Sequence, residues 1–406
     1  MNRITDVKPT PFSEDAQQVV RSLRAAFSEG LVAAGANPNT PQSICDHIGL
    51  NKNLAWKISR IIQTDDSAAA LELMPGASGV RILLKSMNKA GIDEALRKRI
   101  QEAVDEYDRL IRVHSGDRQT LEMLGSELTT SGRQERDEQH RKVLFQGTSY
   151  VWGAQAQVLC KLGLVVPGQQ RGTLDFATVN GFVGFRRLRP DVLWEMARRD
   201  GSNDDGTEMD TAASEPIDPR ISATSQAPLM TEFCSDTLPE LKRVRVGTTY
   251  SYQLTEGRVG NTGAFNCFVG AIHRNIPYVR TPINEWGNHN ARCEVPTELM
   301  IVDLFIHHSL TFALPPETQL LSNVDSPLQP IEARRLPLHE KLQDLGRGNV
   351  PAPTPEVPRY RALVETVLDR FDLPLSDFHG YRMKIAYPAY PSLLRLRYRL
   401  PTKLIA

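Results

Sequence analysis

The sequence predicts an α+β protein, with an N-terminal mainly α-helical domain followed by a C-terminal β-rich α+β domain. Over the first half, apolar residues recur at spacings of three and four, which is the helical period. After about residue 229, short runs of β-branched and aromatic residues lie between Gly and Pro, as strands do. Between these patterns, residues 200–228 are acidic and poor in large apolar side chains, which predicts a flexible linker.

The helical half contains five segments with that period or with helix boundary signals. We predict helices at about 12–36, 41–48, 51–63, 79–113 and 134–163. In the second half we predict strands at Thr248–Leu254, Ala264–Ala271, Leu299–His307, Leu310–Leu314 and Leu393–Leu400, and a helix at about 359–371. The proline-rich segment 346–358 predicts a second linker.

These elements suggest four regions along the 406 residues. They are a helix-turn-helix region at 1–75, a helical and candidate dimerisation region at 76–199, a linker at 200–228, and an α+β domain that binds an effector or partner at 229–406.

Charge and cysteine content exclude several classes of protein. The 48 basic residues balance the 48 acidic residues, so the whole chain is neither a basic nucleic-acid coat nor an acidic tail protein. No apolar run of about 18 residues and no secretory signal occur, so we expect a cytoplasmic protein with no membrane partner. The five scattered cysteines form no CxxC motif and predict free thiols in a reducing compartment.

The most informative stretch is TPQSICDHIGLNKNLAWKISRIIQ, residues 40–63. Gly49 lies where a tight turn between two helices needs a positive φ. In the second helix, an apolar stripe of Leu54, Ile58, Ile61 and Ile62 predicts a buried face. The stretch therefore predicts a helix-turn-helix at about 41–63.

The opposite face of the second helix combines three cations, an amide and a large aromatic ring. Its residues are Lys52, Asn53, Trp56, Lys57 and Arg60. Recognition of the DNA major groove uses these chemistries on one exposed helix. We expect Asn53 or Arg60 to contact bases and Lys52 or Lys57 to contact phosphates; the sequence leaves open which does which.

The order of first helix, Gly-Leu and recognition helix resembles the bacterial helix-turn-helix or winged-helix regulators. The chain differs from their common pattern at Cys45, where alanine is usual, and at Trp56, where a polar residue is usual. The wider chain, with its RRLRP and VGNTG stretches, looks like uncharacterised bacterial proteins that carry such a domain. The resemblance implies a sequence-specific DNA-binding transcriptional regulator whose partner is double-stranded DNA.

A single module of this kind would bind DNA weakly, because the acidic and basic residues of 40–66 cancel. We therefore expect a homodimer or further basic contacts. The amphipathic helix at 91–113 is either a dimer seam or a helix that packs inside its own domain.

A second arginine cluster, Arg186, Arg187 and Arg189, is a candidate set of phosphate contacts. The alternative is that these arginines pair with carboxylates close in sequence, such as Asp175, Asp191 and Glu195. The alternating arginines of 394–400 more simply predict a solvated strand face.

The sequence shows no enzyme signature, so we predict no catalytic residues, no cofactor and no metal. His289, Cys293, His307 and His308 have spacings that match no closed zinc site. The alternative function is a protein-interaction scaffold in which the helical hairpin is only structural and Trp56 packs against a neighbouring helix.

Overall fold

The computed structural model describes residues 10–126, 133–198, 214–221, 227–246, 249–282, 285–324, 330–348 and 354–404. The chain divides into two compact units, Met1–Arg133 and Gln134–Ala406. We call the first the helical unit and the second the sheet unit, after the elements that they contain. This confirms the predicted α+β fold class.

The helical unit contains seven helices in its described residues. They are α1 (Phe12–Ala33), α2 (Pro41–Ile48), α3 (Lys52–Gln63), α4 (Ser67–Leu73), α5 (Ala77–Lys89), α6 (Glu94–His114) and α7 (Arg118–Ser126). Their shared core buries Phe27, Ile44, Ile58, Leu71 and Leu110, among others. The predicted bounds of α2 are confirmed, and those of α3 and α1 differ only at their ends.

The single helix predicted at 79–113 is wrong, because α5 ends at Lys89 and α6 begins at Glu94. Gly91 lies between them with a φ of 73°, a conformation that ends a helix. Ile100, Val104 and Tyr107 of α6 are buried in the core that α1 shares. The apolar face of α6 thus packs inside its own unit, which is the second of the two alternatives that the sequence left open for 91–113.

The sheet unit begins with α8 (Arg133–Trp152), most of which lies in this unit. Its strands are β1 (Ala154–Pro167), β2 (Thr173–Arg187), β3 (Trp194–Arg198), β4 (Glu215–Pro216), β5 (Leu241–Val246), β6 (Thr249–Leu254), β7 (Phe265–Pro277), β8 (Trp286–Cys293), β9 (Thr297–His307), β10 (Glu317–Ser322), β11 (Gln343–Arg347), β12 (Phe378–Ala386) and β13 (Ser392–Arg399). One further helix, α9 (Tyr360–Asp369), confirms the predicted helix at 359–371.

The helical region predicted at 76–199 is wrong after Trp152, since β1, β2 and β3 lie within it. Gly153, with a φ of 71°, ends the helix that was predicted to reach residue 163. The physical reason is burial of β1 on both faces from Val158 to Val166. A strand covered on both sides is continuously apolar, and periodicity cannot distinguish it from a buried helix.

The largest sheet has seven strands in the order β11-β12-β9-β1-β2-β7-β4. β1 and β9 pair in parallel and the other neighbours are antiparallel. One face of this sheet packs with the three-stranded sheets β10-β13-β8 and β3-β6-β5, and the other face packs on α9. The sheet unit is therefore layered, with apolar cores on both sides of its central sheet.

The two predicted linkers are wrong where the structure describes them. In 200–228, Glu215–Pro216 form β4 against β7, and Ile217 is fully buried; 200–213 and 222–226 lie outside the described residues. In 346–358, Gly346 and Arg347 belong to β11, while 349–353 lie outside the described residues. Glu215–Pro216 and Gly346–Arg347 are paired at the two edges of the seven-stranded sheet.

Of the five predicted strands, the one at Leu310–Leu314 is wrong, because a turn of 3₁₀-helix occupies Thr311–Ala313. Within the described ranges, no helix is both long enough and apolar enough to cross a lipid bilayer.

Candidate nucleic-acid interface

The turn between α2 and α3 has three residues, Gly49, Leu50 and Asn51. Gly49 has a φ of 75° and a ψ of 29°, and its N–H donates to the Cys45 carbonyl at 2.9 Å. Asn51 caps α3, because its side-chain oxygen accepts from the Leu54 N–H at 2.9 Å. The turn is thus built from a glycine that permits a left-handed conformation and a side chain that satisfies the next helix.

One face of α3 is buried in the helical unit, as the apolar stripe predicts. Leu54, Ile58 and Ile61 are buried, and Ile62 is partly buried. Ser59, also buried, accepts a hydrogen bond from the Gln63 side-chain amide at 2.8 Å. The buried apolar side chains hold α3 in a defined orientation against the core, whereas the Ser59–Gln63 bond lies within the helix.

The opposite face of α3 lies at the surface. Lys52, Asn53, Trp56 and Arg60 are exposed, and Lys57 is partly exposed; the Trp56 side chain retains 46% of its accessible surface. None of the three cations forms an ion pair with a residue that the structure describes. The structure therefore leaves all five predicted recognition residues accessible to a ligand.

A second basic helix, α5, which was not among the predicted site residues, borders this motif. Arg81, Lys85 and Lys89 are exposed on α5, and neither α3 nor α5 contains an acidic residue. α5 packs against α2, and a Cβ placed on Gly79 would lie 3.6 Å from Leu54 Cδ1 of α3. In the sequence, residues 77–89 contain three cations and no acidic residue, and this pattern could have predicted the basic helix.

The second predicted set, Arg186, Arg187 and Arg189, does not form a phosphate site. Arg187 is 2% exposed and donates to the Val192 carbonyl at 3.1 Å and to the Thr255 carbonyl. Arg186 pairs with Glu298 at 3.4 Å. The prediction is therefore wrong for Arg187, whose guanidinium group donates its hydrogen bonds to backbone carbonyls. Arg186 is already paired with a carboxylate.

Arg189 is exposed, and its Nη1 donates to the Val151 carbonyl at 3.3 Å. Of the carboxylates expected as alternative partners, Asp175 pairs with another arginine, Arg274, at 2.8 Å.

Arg189 lines a cleft of about 410 Å³ in the sheet unit that the sequence did not predict. The Trp152 ring lies edge-on to Trp194 at 6.4 Å and to Tyr390 at 5.8 Å between ring centroids. Glu195 and Glu294 also line the cleft. Aromatic walls with a few polar groups are typical of sites for small ligands.

Beside this cleft, Lys161 is buried and its Nζ lies 3.1 Å from the Glu294 carboxylate. His289 is also buried and packs over Gly163, where an added Cβ would lie 2.9 Å from the imidazole ring. Burial lowers the pKa of His289 to about 3, and the charge of Lys161 adds to this effect. His289 is therefore neutral in the folded protein.

On the other face of the central sheet, Asp303 accepts from Arg382 at 2.8 and 2.7 Å and from the Tyr360 hydroxyl. This buried network joins β9, β12 and α9, and it does not converge with His289. Over the residues with described positions, no cluster of three or more His, Cys, Asp or Glu could bind a metal ion.

No family model matches this chain, and neither a curated protein nor a solved structure matches it.

Proposed function

We propose that this protein is a sequence-specific DNA-binding transcriptional regulator that uses the helix-turn-helix at 41–63. One observation carries the proposal. α3 is held by a buried apolar face, and its opposite face exposes three cations, an amide and an indole that the described protein does not use internally. A recognition helix in the major groove needs this arrangement.

The chemistry of the exposed side chains of α3 suits two kinds of DNA contact. Asn53 or Arg60 would contact base edges, because amides pair with adenine and guanidinium groups with guanine. Lys52 or Lys57 would bind phosphates, where a flexible ammonium group suffices. The exposed Trp56 ring would add apolar contact to a base methyl group or to the sugar backbone.

Useful affinity requires more positive charge than α3 alone carries. Arg81, Lys85 and Lys89 of α5 supply three exposed cations in the same unit. A homodimer would double the contacts, and we retain it as part of the proposal. Its surface is not the apolar face of α6, which is buried.

The regulatory signal would enter through the sheet unit. Its cleft beside Trp152, Trp194 and Tyr390 has the size and the aromatic lining of a small-ligand site, and Arg189 adds a charge at its edge. Quenching of tryptophan fluorescence by a fractionated small-molecule extract, lost on Trp194→Ala, would locate an effector there.

To test DNA binding, fragments of the source genome are incubated with the purified full-length protein at two salt concentrations, and the fragments that the protein retains are identified. Selective retention of particular fragments, weakening steeply as salt rises, is the expected result. Retention that is absent, or indifferent to sequence at both salts, would refute the proposal.

The alternative, a scaffold that uses the hairpin only for packing, requires Trp56 to be covered. Trp56 is instead 46% exposed. Trp56→Ala separates the two functions: a packing residue of this size costs about 3–5 kcal/mol when truncated, and an exposed contact residue costs little stability. We expect a nearly unchanged unfolding midpoint together with weaker DNA binding.

A further inference from the structure

Three aromatic rings stand at steep angles to one another around the cleft of the sheet unit. The Trp152 ring plane is inclined by 83° to that of Trp194 and by 83° to that of Tyr390. All three side chains line the cleft, and Trp152 is 50% exposed. We call these three residues the aromatic cage. A flat ligand stacks best between parallel rings, whereas rings at right angles suit a compact, rounded group.

Within the described residues, no cation lies over a ring of the aromatic cage. Other rings of the sheet unit are covered in this way. Arg397 lies 3.8 Å from the Trp286 ring centroid, and Arg243 lies 3.7 Å from that of Tyr250. Because the face of an aromatic ring is negatively polarised, it attracts a cation placed over it. The cage rings can therefore offer this interaction to a ligand.

Two carboxylates, those of Glu195 and Glu294, line the same cleft. Glu195 accepts a hydrogen bond from the Ser251 hydroxyl. Glu294 pairs with Lys161 at 3.1 Å, yet its side chain remains 43% exposed, whereas the Lys161 side chain is only 3% exposed. A ligand in the cleft therefore meets the Glu294 carboxylate before the buried ammonium group. Both carboxylates favour a positively charged ligand, because opposite charges attract strongly where water is partly excluded.

Arg189 also lines the cleft, and its charge would oppose a cationic ligand. Its Nη1 donates to the Val151 carbonyl at 3.3 Å, at the C-terminal end of α8. The guanidinium group packs over Gly153, where an added Cβ would lie 2.9 Å from Arg189 Cζ. Arginine side chains commonly bind the last carbonyls of a helix in this way. Arg189 is thus held at the end of α8 and lies over none of the cage rings.

We propose that the aromatic cage, together with Glu195 and Glu294, binds a small organic cation of the quaternary or tertiary ammonium class. The N-methyl groups would pack against the ring faces, and the carboxylates would balance the positive charge. This inference rests on the proposed use of the cleft as an effector site and names the class of its ligand. It does not depend on DNA binding by α3.

Three probes of similar shape and different charge test the class of ligand. They are the tetramethylammonium ion, neutral tert-butyl alcohol and the pivalate anion. Binding to the full-length protein at constant ionic strength is followed by ligand-observed NMR and by tryptophan fluorescence. We expect tetramethylammonium to bind about tenfold more tightly than tert-butyl alcohol, and pivalate to bind least tightly.

Equal affinity for the cation and the alcohol, or tightest binding of pivalate, would overturn the cationic class and leave the cleft as a small-ligand site. Absence of tetramethylammonium binding would also overturn the inference. Retention of genomic DNA is measured separately on the same protein, so failure here is distinguishable from failure of the proposed regulator.

Variants of the half-exposed Trp152 test the contribution of one ring. Trp152→Leu keeps an apolar side chain but removes the aromatic face, so it should weaken tetramethylammonium binding about threefold and leave tert-butyl alcohol binding nearly unchanged. Trp152→Phe keeps a ring and should fall between Leu and the wild type. The matched control is Trp286→Leu, which removes an indole that Arg397 already covers, and it should bind all three probes as the wild type does.

Unfolding midpoints of all variants are measured alongside binding, so that lost binding is separated from lost fold. Wild-type affinity for tetramethylammonium in a folded Trp152→Leu protein, or equal weakening by Trp286→Leu, would overturn the assignment of the aromatic cage.

Discussion

Replacing Lys57 and Arg60 together by Ala should lower DNA affinity while leaving the helical unit folded. Arg60 is exposed, Lys57 is partly exposed, and neither pairs with a carboxylate among the described residues. Ala also favours the helix at both positions. The two changes therefore remove positive charge from α3 without removing packing, and we expect the free energy of unfolding to change by no more than about 0.5 kcal/mol.

The expected effect on binding follows from counterion release. Each phosphate contact contributes about 0.9 to the slope of log affinity against log salt, so losing two contacts flattens the slope by about 1.8. Over a fourfold rise in salt, the wild-type protein should then lose about tenfold more affinity than the variant. If Arg60 contacts a base instead, Arg60→Ala alone should cost about 1–3 kcal/mol and relax selectivity at one position.

The assay is fluorescence anisotropy on a retained genomic fragment and a scrambled duplex, at several salt concentrations. Arg21→Ala with Arg112→Ala is the matched control, because it removes two exposed cations from α1 and α6 of the same unit. The control should keep most of the affinity and the slope. Equal loss in both double variants, or no loss in Lys57→Ala/Arg60→Ala, would refute the assignment of α3 as the recognition helix.

Two further predictions concern stability. Gly49→Ala should destabilise the helical unit by about 1 kcal/mol, because the φ of Gly49 is 75°. Crowding is not the cause, since an added Cβ meets no atom within 4 Å. Gly49→Asn should cost less, and equal thermal midpoints for the wild-type protein and both variants would contradict this prediction. The pKa of His289 is about 3 in the folded protein and near 6.5 in the unfolded chain. Between these two pH values only the unfolded chain binds the proton. The free energy of unfolding that the neutral histidine contributes is therefore complete above pH 6.5 and is lost as the pH falls, by up to about 1.4 kcal/mol per pH unit. Denaturant unfolding at several pH values measures the slope of the free energy of unfolding against pH. In His289→Leu this slope should decrease by the contribution of one proton, and an unchanged slope would show that another group titrates.

The helix-turn-helix could be predicted closely from sequence because its determinants are local. A proline at the first position of α2, Gly49 at the turn and the apolar stripe of α3 define both helices and the face that each buries. The same locality explains why exposure of Lys52, Asn53, Trp56 and Arg60 follows from helical spacing alone. The five residues of the candidate interface therefore needed no tertiary information, although the structure was required to add the basic face of α5.

Elsewhere the outcome depended on contacts between residues far apart in the chain. Arg186 and Arg187 lie close in sequence to the exposed Arg189, but both are paired with groups far away in the chain. Arg186 pairs with Glu298, and Arg187 donates to the Thr255 carbonyl. In the same way, the mostly apolar run after Gly153 forms β1 because it pairs with β2 and β9. The spacing of residues within these segments does not predict which distant residues they will contact.

Local sequence is sufficient to predict the α+β class, the hairpin of α2 and α3, and the chemistry of the exposed face of α3, because each depends on residues within a few turns of one another. The packing of α6 against α1 and the assembly of the aromatic cleft from separate segments depend instead on long-range contacts. Sheet pairing and core packing join residues that are distant in sequence, and the free energy of those contacts overrides local preference.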